Sequence, residues 1–264
     1  MIIPFHKYQG TGNDFILVDQ RNHQYLNYDD QQIIERLCHR RFGIGADGLI
    51  LLENAIGADF RMVYFNADGR EGSMCGNGGR CIIAFAHALN IFRKETIFLA
   101  VDGKHQGKIN DDGTVSLHMQ DVKSIERLDE NIFELNTGSP HYVLFCNEIP
   151  NDIVTEGAKI RYNDKYKKDG INVNFVKFSD DALVVATYER GVEDETYSCG
   201  TGVTAAALSY GEMLNKHGKS AVTIKTKGGN LKITFERDHP FLSNIWLSGP
   251  AEMVFEGKYE LVKP

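Results

Sequence analysis

The chain has 264 residues, room for one large domain or two of ordinary size, and its 42% apolar and 25% charged composition is that of a globular protein. Its net charge of −7, with basic residues scattered except at Lys165-Tyr166-Lys167-Lys168, argues against nucleic acid and against an anionic membrane surface as partners. The short basic run is expected to be a solvated loop. No apolar stretch approaches the roughly 20 residues of a membrane span, and no basic segment precedes an apolar one at the start, so neither a membrane helix nor a signal peptide is expected. Five cysteines, an odd number without CxxC spacing, suit working thiols in a reducing cytoplasm better than a disulfide framework.

In chain order, the turn Gly10-Thr11-Gly12-Asn13-Asp14 leads into a strand over Phe15 to Val18. Asp29 to Cys38 has an acidic start and apolar residues at helical spacing, which predicts a helix. Apolar runs predict strands over Leu49 to Leu52 and Phe60 to Phe65, and the turn Asn66-Ala67-Asp68-Gly69 follows. Cys75-Gly76-Asn77-Gly78-Gly79 then opens an apolar, alanine-bearing helix to Leu89. Strands over Thr96 to Val101 and Val115 to Met119 flank Asn110-Asp111-Asp112-Gly113, where the boundary between two halves falls.

Beyond that point the design repeats. Asn136-Thr137-Gly138-Ser139-Pro140-His141 precedes a strand over Tyr142 to Phe145, and Gly12 to Gly138 is an offset of 126. Gly43-Ile44-Gly45 recurs as Gly170-Ile171-Asn172, 127 residues on, and strands over Val173 to Phe178 and Leu183 to Tyr188 follow. Cys199-Gly200-Thr201-Gly202-Val203 opens a second apolar helix, 124 residues after Cys75. Strands over Val222 to Lys225, Leu231 to Phe235 and Ile245 to Leu247 complete the second half. Paired motifs in one order at near-constant offset indicate an internal duplication. With two helices apolar all round among many strands, each half is expected to wrap a sheet around its central helix. The segment after Gly249-Pro250 could return to either half.

The two cysteines carry the chemistry. A thiol where a glycine turn feeds a helix sits where backbone N–H groups and the helix dipole favour an anion and a thiolate. Two such thiols facing one carbon could act as base and acid, as stereoinversion by proton exchange requires. Asn66 and the Glu189-Arg190 pair occupy matching places before each cysteine; an Arg forks onto a carboxylate and a Glu accepts from an ammonium. Cys38, Cys81 and Cys146 lie in apolar patterns and read as packing residues. A lone His141 is usually a satisfied core histidine. His39, His87, His105, His118, His217 and His239 show no metal-ligand spacing. Gly43-Ile44-Gly45-Ala46-Asp47-Gly48 lacks the strand–GxGxxG–helix context of a dinucleotide loop.

Gly12-Asn13-Asp14-Phe15, Asn66-Ala67-Asp68-Gly69, Cys75-Gly76-Asn77-Gly78, Pro140-His141, Glu189-Arg190-Gly191 and Cys199-Gly200-Thr201-Gly202 together resemble the diaminopimelate epimerase family along the whole chain. Proline racemase-like enzymes share the paired thiols but usually carry His where this chain has Asn77, and phenazine-pathway isomerase-like relatives lack the cysteine pair. The resemblance implies an α/β (α+β) fold of two pseudo-symmetric domains, each a mixed β-sheet or barrel wrapped around a central helix, with the site in the cleft between them. It assigns the terminal segment to the first domain, giving 1-118 plus 250-264 with Cys75 and 119-249 with Cys199. It implies interconversion of LL- and meso-diaminopimelate in lysine and cell-wall precursor synthesis, without pyridoxal phosphate or metal, on a small-molecule amino acid, with a homodimer as the candidate assembly. By matching position, Cys75 and Cys199 would be the acid/base pair, and Gly76, Asn77, Gly200 and Thr201 would bind the reacting carboxylate. Asn13, Asn66, Asn172 and Arg190 would hold substrate, mainly at the distal centre; Glu189 and His141 would support the proton transfers and the amine. Two contact positions depart from the family: Ser139 stands where many members have Asn, and Gly48 where some have Gln. The loop Gly191 to Ser198 is one residue longer than in some members. The alternatives are a two-thiol racemase for a proline- or histidine-type amino acid, and a thiol–disulfide redox protein.

Overall fold

The computed structural model describes residues 1–238 and 241–261, so His239 and the last three residues of the segment 250-264 lie outside the described residues. The chain divides into two compact units, Met1–Leu117 with Pro250–Pro264, and His118–Gly249.

In the first unit, β1 (Ile2–Gly10) and β2 (Asn13–Asp19) form an antiparallel hairpin. Its turn holds Thr11 and Gly12 at positive φ, 52° and 86°. The helix α1 (Gln31–Cys38) leads to β3 (Gly48–Glu53), which runs parallel to β2, and β4 (Phe60–Asn66) returns antiparallel. The helix α2 (Gly76–Ala88) leads to β5 (Glu95–Ala100), parallel to β4, and β6 (Gly103–Ile109) and β7 (Val115–His118) complete a meander. The C-terminal strand, Glu252–Glu260, pairs with the free side of β1. Strand β3 reads as an unbroken apolar run because both its faces are covered. On one side Ile34, Leu37 and Cys38 of α1 pack on Ile16, Val18, Leu49, Leu51, Val63 and Phe65. On the other, Gly78 of α2 sits so near Ile50 and Met62 that an added Cβ would stand 3.2 and 3.4 Å from them. Truncating one of these core side chains to Ala would cost about 2–5 kcal/mol.

The second unit repeats that order. An antiparallel ladder joins β8 (Ile125–Asp129), β9 (Ile132–Asn136) and β10 (Pro140–Phe145). After α3 (Ile153–Arg161), β11 (Asn172–Ser179) runs parallel to β10 and β12 (Ala182–Glu189) returns antiparallel. A short β13 (Asp194–Thr196) precedes α4 (Gly200–Met213), which leads to β14 (Gly218–Thr226), parallel to β12. The strands β15 (Gly229–Asp238) and β16 (Phe241–Gly249) close the meander. Each unit therefore follows hairpin, helix, parallel strand, antiparallel strand, central helix, parallel strand, meander. The C-terminal strand does for β1 what β8 does for β9. In both units the central helix is buried almost all round, α2 against β1, β2, β3 and β6 and α4 against β10, β11, β12 and β15.

One local expectation changes in detail, and one helix is added. The run Lys165 to Lys168 is tied down, because Tyr166 is buried in the α3 cluster and both its hydroxyl and Lys165 Nζ reach Glu134, at 2.7 and 2.6 Å. The helix α3, which no strong periodicity announces, is started by Asp152 accepting from Thr155 N–H at 2.9 Å.

Candidate active site

Cys75 and Cys199 are the N-cap residues of α2 and α4, with nearly identical backbones: φ −106°, ψ 123° and φ −107°, ψ 112°. Neither side chain caps its own helix. The first helical bonds are Gly79 N–H to Cys75 O at 2.7 Å and Val203 N–H to Cys199 O at 2.9 Å. The amides of Gly76, Asn77 and Gly78, and of Gly200, Thr201 and Gly202, thus precede each helical ladder, where an anion is favoured. Burial pushes the Cys38 and Cys81 thiols up to about 12 and raises that of Cys146, which fits their packing role.

Around Cys75 the first unit assembles Asn13, Asn77 and two residues to which the sequence reading gives no role, Asp47 and Arg80. Asn13 Nδ2 donates to Asp47 Oδ2 at 2.6 Å, and Asn77 Nδ2 donates to Asn13 Oδ1 at 3.4 Å. Arg80, fully buried, donates to Asn77 Oδ1 and Thr11 Oγ1, both at 3.0 Å. A carboxylate only accepts and a guanidinium only donates, so the two ends dictate how both amides face. Asn13 Oδ1 is thereby turned toward the Cys75 thiol, with Sγ at 3.7 Å. Behind this row Arg40 bridges Asp14 and Asp47, at 2.7 and 2.6 Å, and the buried Lys7 pairs with Asp14 at 2.7 Å and donates to Gly45 O. Burial pushes the Asp14 carboxyl up, but hydrogen bonds from Arg40 and Lys7 outweigh it and hold it at about 2.

Gly48 and Asn66 stand opposite each other at the open end of β3 and β4. No side chain fits at Gly48: a Cβ would lie 2.5 Å from the Tyr64 ring and from Phe65 O. A Cβ at Gly72 would strike the same ring at 2.6 Å and come within 3.0 Å of Asn66 Oδ1. Tyr64 is thus clamped between two glycines, Gly48 and Gly72.

In the second unit Cys199 Sγ lies 3.4 Å from Thr201 Oγ1, and Thr137 Oγ1 donates to Thr201 O at 2.9 Å. Asn172 Nδ2 donates to Ser139 Oγ at 2.7 Å and to Pro140 O at 3.0 Å, while its Oδ1 accepts from Arg190 N–H at 2.9 Å. Ser139 is therefore an anchor for the Asn172 amide, and Arg190 Nη1 is steered by Asp169 O at 3.0 Å. Glu189, half-buried, ends β12 directly before Arg190. The loop beyond it is pinned by Glu193, which accepts from Tyr162 and Tyr188 hydroxyls at 2.9 Å and Gly191 N–H at 3.1 Å. His141 is wholly buried; Asn174 Nδ2 reaches its Nδ1 at 3.1 Å, and Thr187 Oγ1 donates to Asn174 Oδ1 at 2.9 Å. Asn174 escaped the sequence reading, although its i, i+2 spacing from Asn172 puts both amides on one face of β11. Among the described residues no His, Cys, Asp and Glu group has the arrangement of a metal site.

Solved structures with this architecture include a Bacillus anthracis phenazine biosynthesis protein of the PhzF family, with a TM-score of 0.76 at 14% identity, covering 99% of this chain and 100% of that one. A hydroxyproline epimerase from Agrobacterium vitis matches with a TM-score of 0.70 at 12% identity, covering 100% and 94%. The chain therefore has the two-unit α/β fold of these proteins. A family model described as diaminopimelate epimerase matches residues 5–125 and 133–254. Relatives named diaminopimelate epimerase include one from Flavobacterium psychrophilum, 51% identical over 95% of this chain and 98% of that protein, and one from Chlorobaculum tepidum, 43% identical over 96% and 99%. The chain belongs to the diaminopimelate epimerase family.

Proposed function

We propose that this isomerase interconverts LL-2,6-diaminopimelate and meso-diaminopimelate by proton exchange at one Cα, with Cys75 and Cys199 as the acid/base pair. The observation that carries the reading is the N-cap placement of both thiols, each on the central helix of its unit with matching backbone. One thiolate takes the Cα proton as the C–H bond breaks; the other thiol gives its proton as the new C–H bond forms on the opposite face. The two sulfurs exchange protonation states, and the reverse reaction restores them, so the proton count closes on the two thiols. An amino-acid Cα–H is a far weaker acid than a thiol, so charge developing toward the carboxylate needs support from the helix-start amides of Gly76, Asn77, Gly200 and Thr201. One such donor typically contributes a factor of ~10²–10³ in rate.

Arg190, Asn172, Asn66 and Asn13 would hold the distal amino-acid head, with Glu189 accepting from an ammonium. Ser139 serves by aligning Asn172, and Gly48 by admitting the Tyr64 ring. No helix among the described residues is long and apolar enough to cross a membrane, and catalysis by two thiols suits a reducing cytoplasm. Exposed Met253, Val254 and Phe255 on the C-terminal strand favour a homodimer. The test is turnover of a panel: LL-diaminopimelate should be epimerised with reductant present, and proline, histidine and glutamate should be processed at least ~100-fold less well. Preferential turnover of proline or histidine would reassign the substrate.

A further inference from the structure

We propose that Glu193 is a positioning residue for the reaction: its carboxylate locks the turn from Glu189 to Glu193 and thereby holds Arg190 ready for a substrate carboxylate. This rests on the reading of Arg190 as the grip on the distal amino-acid head, and it adds the residue that keeps that grip in place.

The turn begins where β12 ends. Glu189 O accepts from Val192 N–H at 3.2 Å and from Glu193 N–H at 2.8 Å, so the chain doubles back around Arg190 and Gly191. Gly191 has φ 92° and Glu193 has φ 58°. Glycine takes such a φ without strain, whereas a Glu there works against its own Cβ. A strained residue of this kind persists only where its surroundings fix it. Here the side chain supplies the fixing. Oε2 accepts from the hydroxyls of Tyr162 and of the buried Tyr188, both at 2.9 Å, and Oε1 accepts from Gly191 N–H at 3.1 Å. Burial pushes the Glu193 carboxyl up, but the Gly191 amide, the two hydroxyls and the Arg161 charge outweigh it and hold it below the ordinary carboxylate range. The group is therefore ionised at working pH and only accepts.

A pair of arginines is the second observation. Arg161 and Arg190 both pack on Gly170 (φ 74°), where an added Cβ would stand 2.8 Å from Arg161 Cζ and 2.6 Å from Arg190 Cδ. Arg161 Nε lies 3.4 Å from Glu193 Oε1, so the carboxylate that locks the turn also takes up the Arg161 charge. Arg190 is fixed by neutral acceptors: its N–H donates to Asn172 Oδ1 at 2.9 Å and its Nη1 to Asp169 O at 3.0 Å. A carbonyl orients a guanidinium but leaves its positive charge in place for an anion.

Glu193→Gly is the variant to make, because glycine suits the backbone at φ 58° and removes only the carboxylate. Limited trypsin digestion of the free enzyme, with peptide mapping of the Arg190–Gly191 bond, reads the lock itself. Cleavage there should be about 10-fold faster than in the wild type, with circular dichroism unchanged. In steady-state kinetics on LL-diaminopimelate, KM should rise roughly 10-fold while kcat stays within about 3-fold. In an Arg190→Lys background the same change should add little, because Glu193 acts through Arg190. Glu193→Gln keeps the size and one carbonyl but gives up the charge, and should fall between Gly and wild type. Unchanged cleavage at Arg190–Gly191, an unchanged KM, or a full further loss on top of Arg190→Lys would each overturn the proposal. If the wild type turns over another amino acid in place of diaminopimelate, the substrate reading falls. The KM comparison on that amino acid, with tryptic cleavage of the free enzyme, then still decides the role of Glu193.

Discussion

Asp47 Oδ2 accepts the Asn13 amide hydrogen at 2.6 Å, and through that bond the carboxylate decides which end of Asn13 faces the Cys75 thiol. Replacing Asp47 by Asn leaves size unchanged but lets the row of amides reverse. We expect kcat/KM to fall about 10–100-fold, the factor set by losing a charge-assisted bond of roughly 1.5–3 kcal/mol. Cys75 should also alkylate faster in Asp47→Asn, because its sulfur is no longer opposed by a fixed carbonyl oxygen. Peptide-resolved iodoacetamide kinetics check this, with Asp14→Asn as a variant that removes a neighbouring charge without touching the Asn13 amide. Equal acceleration in both would show a charge effect in place of an orientation effect.

Cys75→Ala and Cys199→Ala should each abolish epimerisation while leaving circular dichroism and thermal unfolding close to those of the wild type. Serine at either position should also be feeble, since an alkoxide forms far less readily than a thiolate near neutral pH. Near-normal turnover by any one of these variants would remove that sulfur from the acid/base pair.

Arg190→Lys should lose most activity on diaminopimelate, by ~10-fold or more, because a point charge does not reproduce a two-pronged grip on a carboxylate. Asn172→Ala should act in the same direction by freeing the backbone of Arg190, whose N–H it accepts at 2.9 Å. Steady-state kinetics should place these losses chiefly in KM, as expected for groups holding the distal head. An Arg190→Lys enzyme with unchanged KM would argue against that placement.

Acid should destabilise the protein partly through His141. Its folded pKa, about 3, lies below the ordinary value near 6.5, so below that value the unfolded chain binds a proton the folded chain refuses. The stability it contributes is fully present above pH ~6.5 and is lost as pH falls toward ~3, with a slope of up to ~1.4 kcal/mol per pH unit. Asp14, held at about 2, adds a similar loss between pH ~4 and ~2. Denaturant melts across this range should show a shallower dependence in His141→Gln than in the wild type. Identical slopes would contradict a buried neutral imidazole.

What was legible in the sequence followed from burial. Strands β2, β3, β4, β11 and β12 announce themselves because sheet faces covered on both sides need continuous apolar runs. The C-terminal strand is exposed along most of its length and β6 is mostly polar, so neither carries such a run. The helix α3 was hidden by Gly157, which is required because a Cβ there would lie 2.4 Å from Tyr188 Cβ. Cys75, Cys199 and their glycine turns were readable because the duplication shows them twice. Asp47, Arg80 and Asn174 were not, because their effect is to orient hydrogen bonds, and Asp47 and Asn174 act on partners more than thirty residues away in sequence. Tyr64 was missed for a related reason: only the packed structure shows that Gly48 is small to make room for its ring.

The most direct test of the two-thiol mechanism is epimerisation of LL-diaminopimelate in deuterium oxide, with dithiothreitol present and pyridoxal phosphate absent, followed at initial rate by mass spectrometry. The two-thiol account predicts meso product carrying one deuterium at the inverted Cα, delivered from the opposing solvent-equilibrated thiol, while recovered LL substrate stays unlabelled. Product formed without solvent deuterium, or recovered substrate labelled as fast as product, would contradict it.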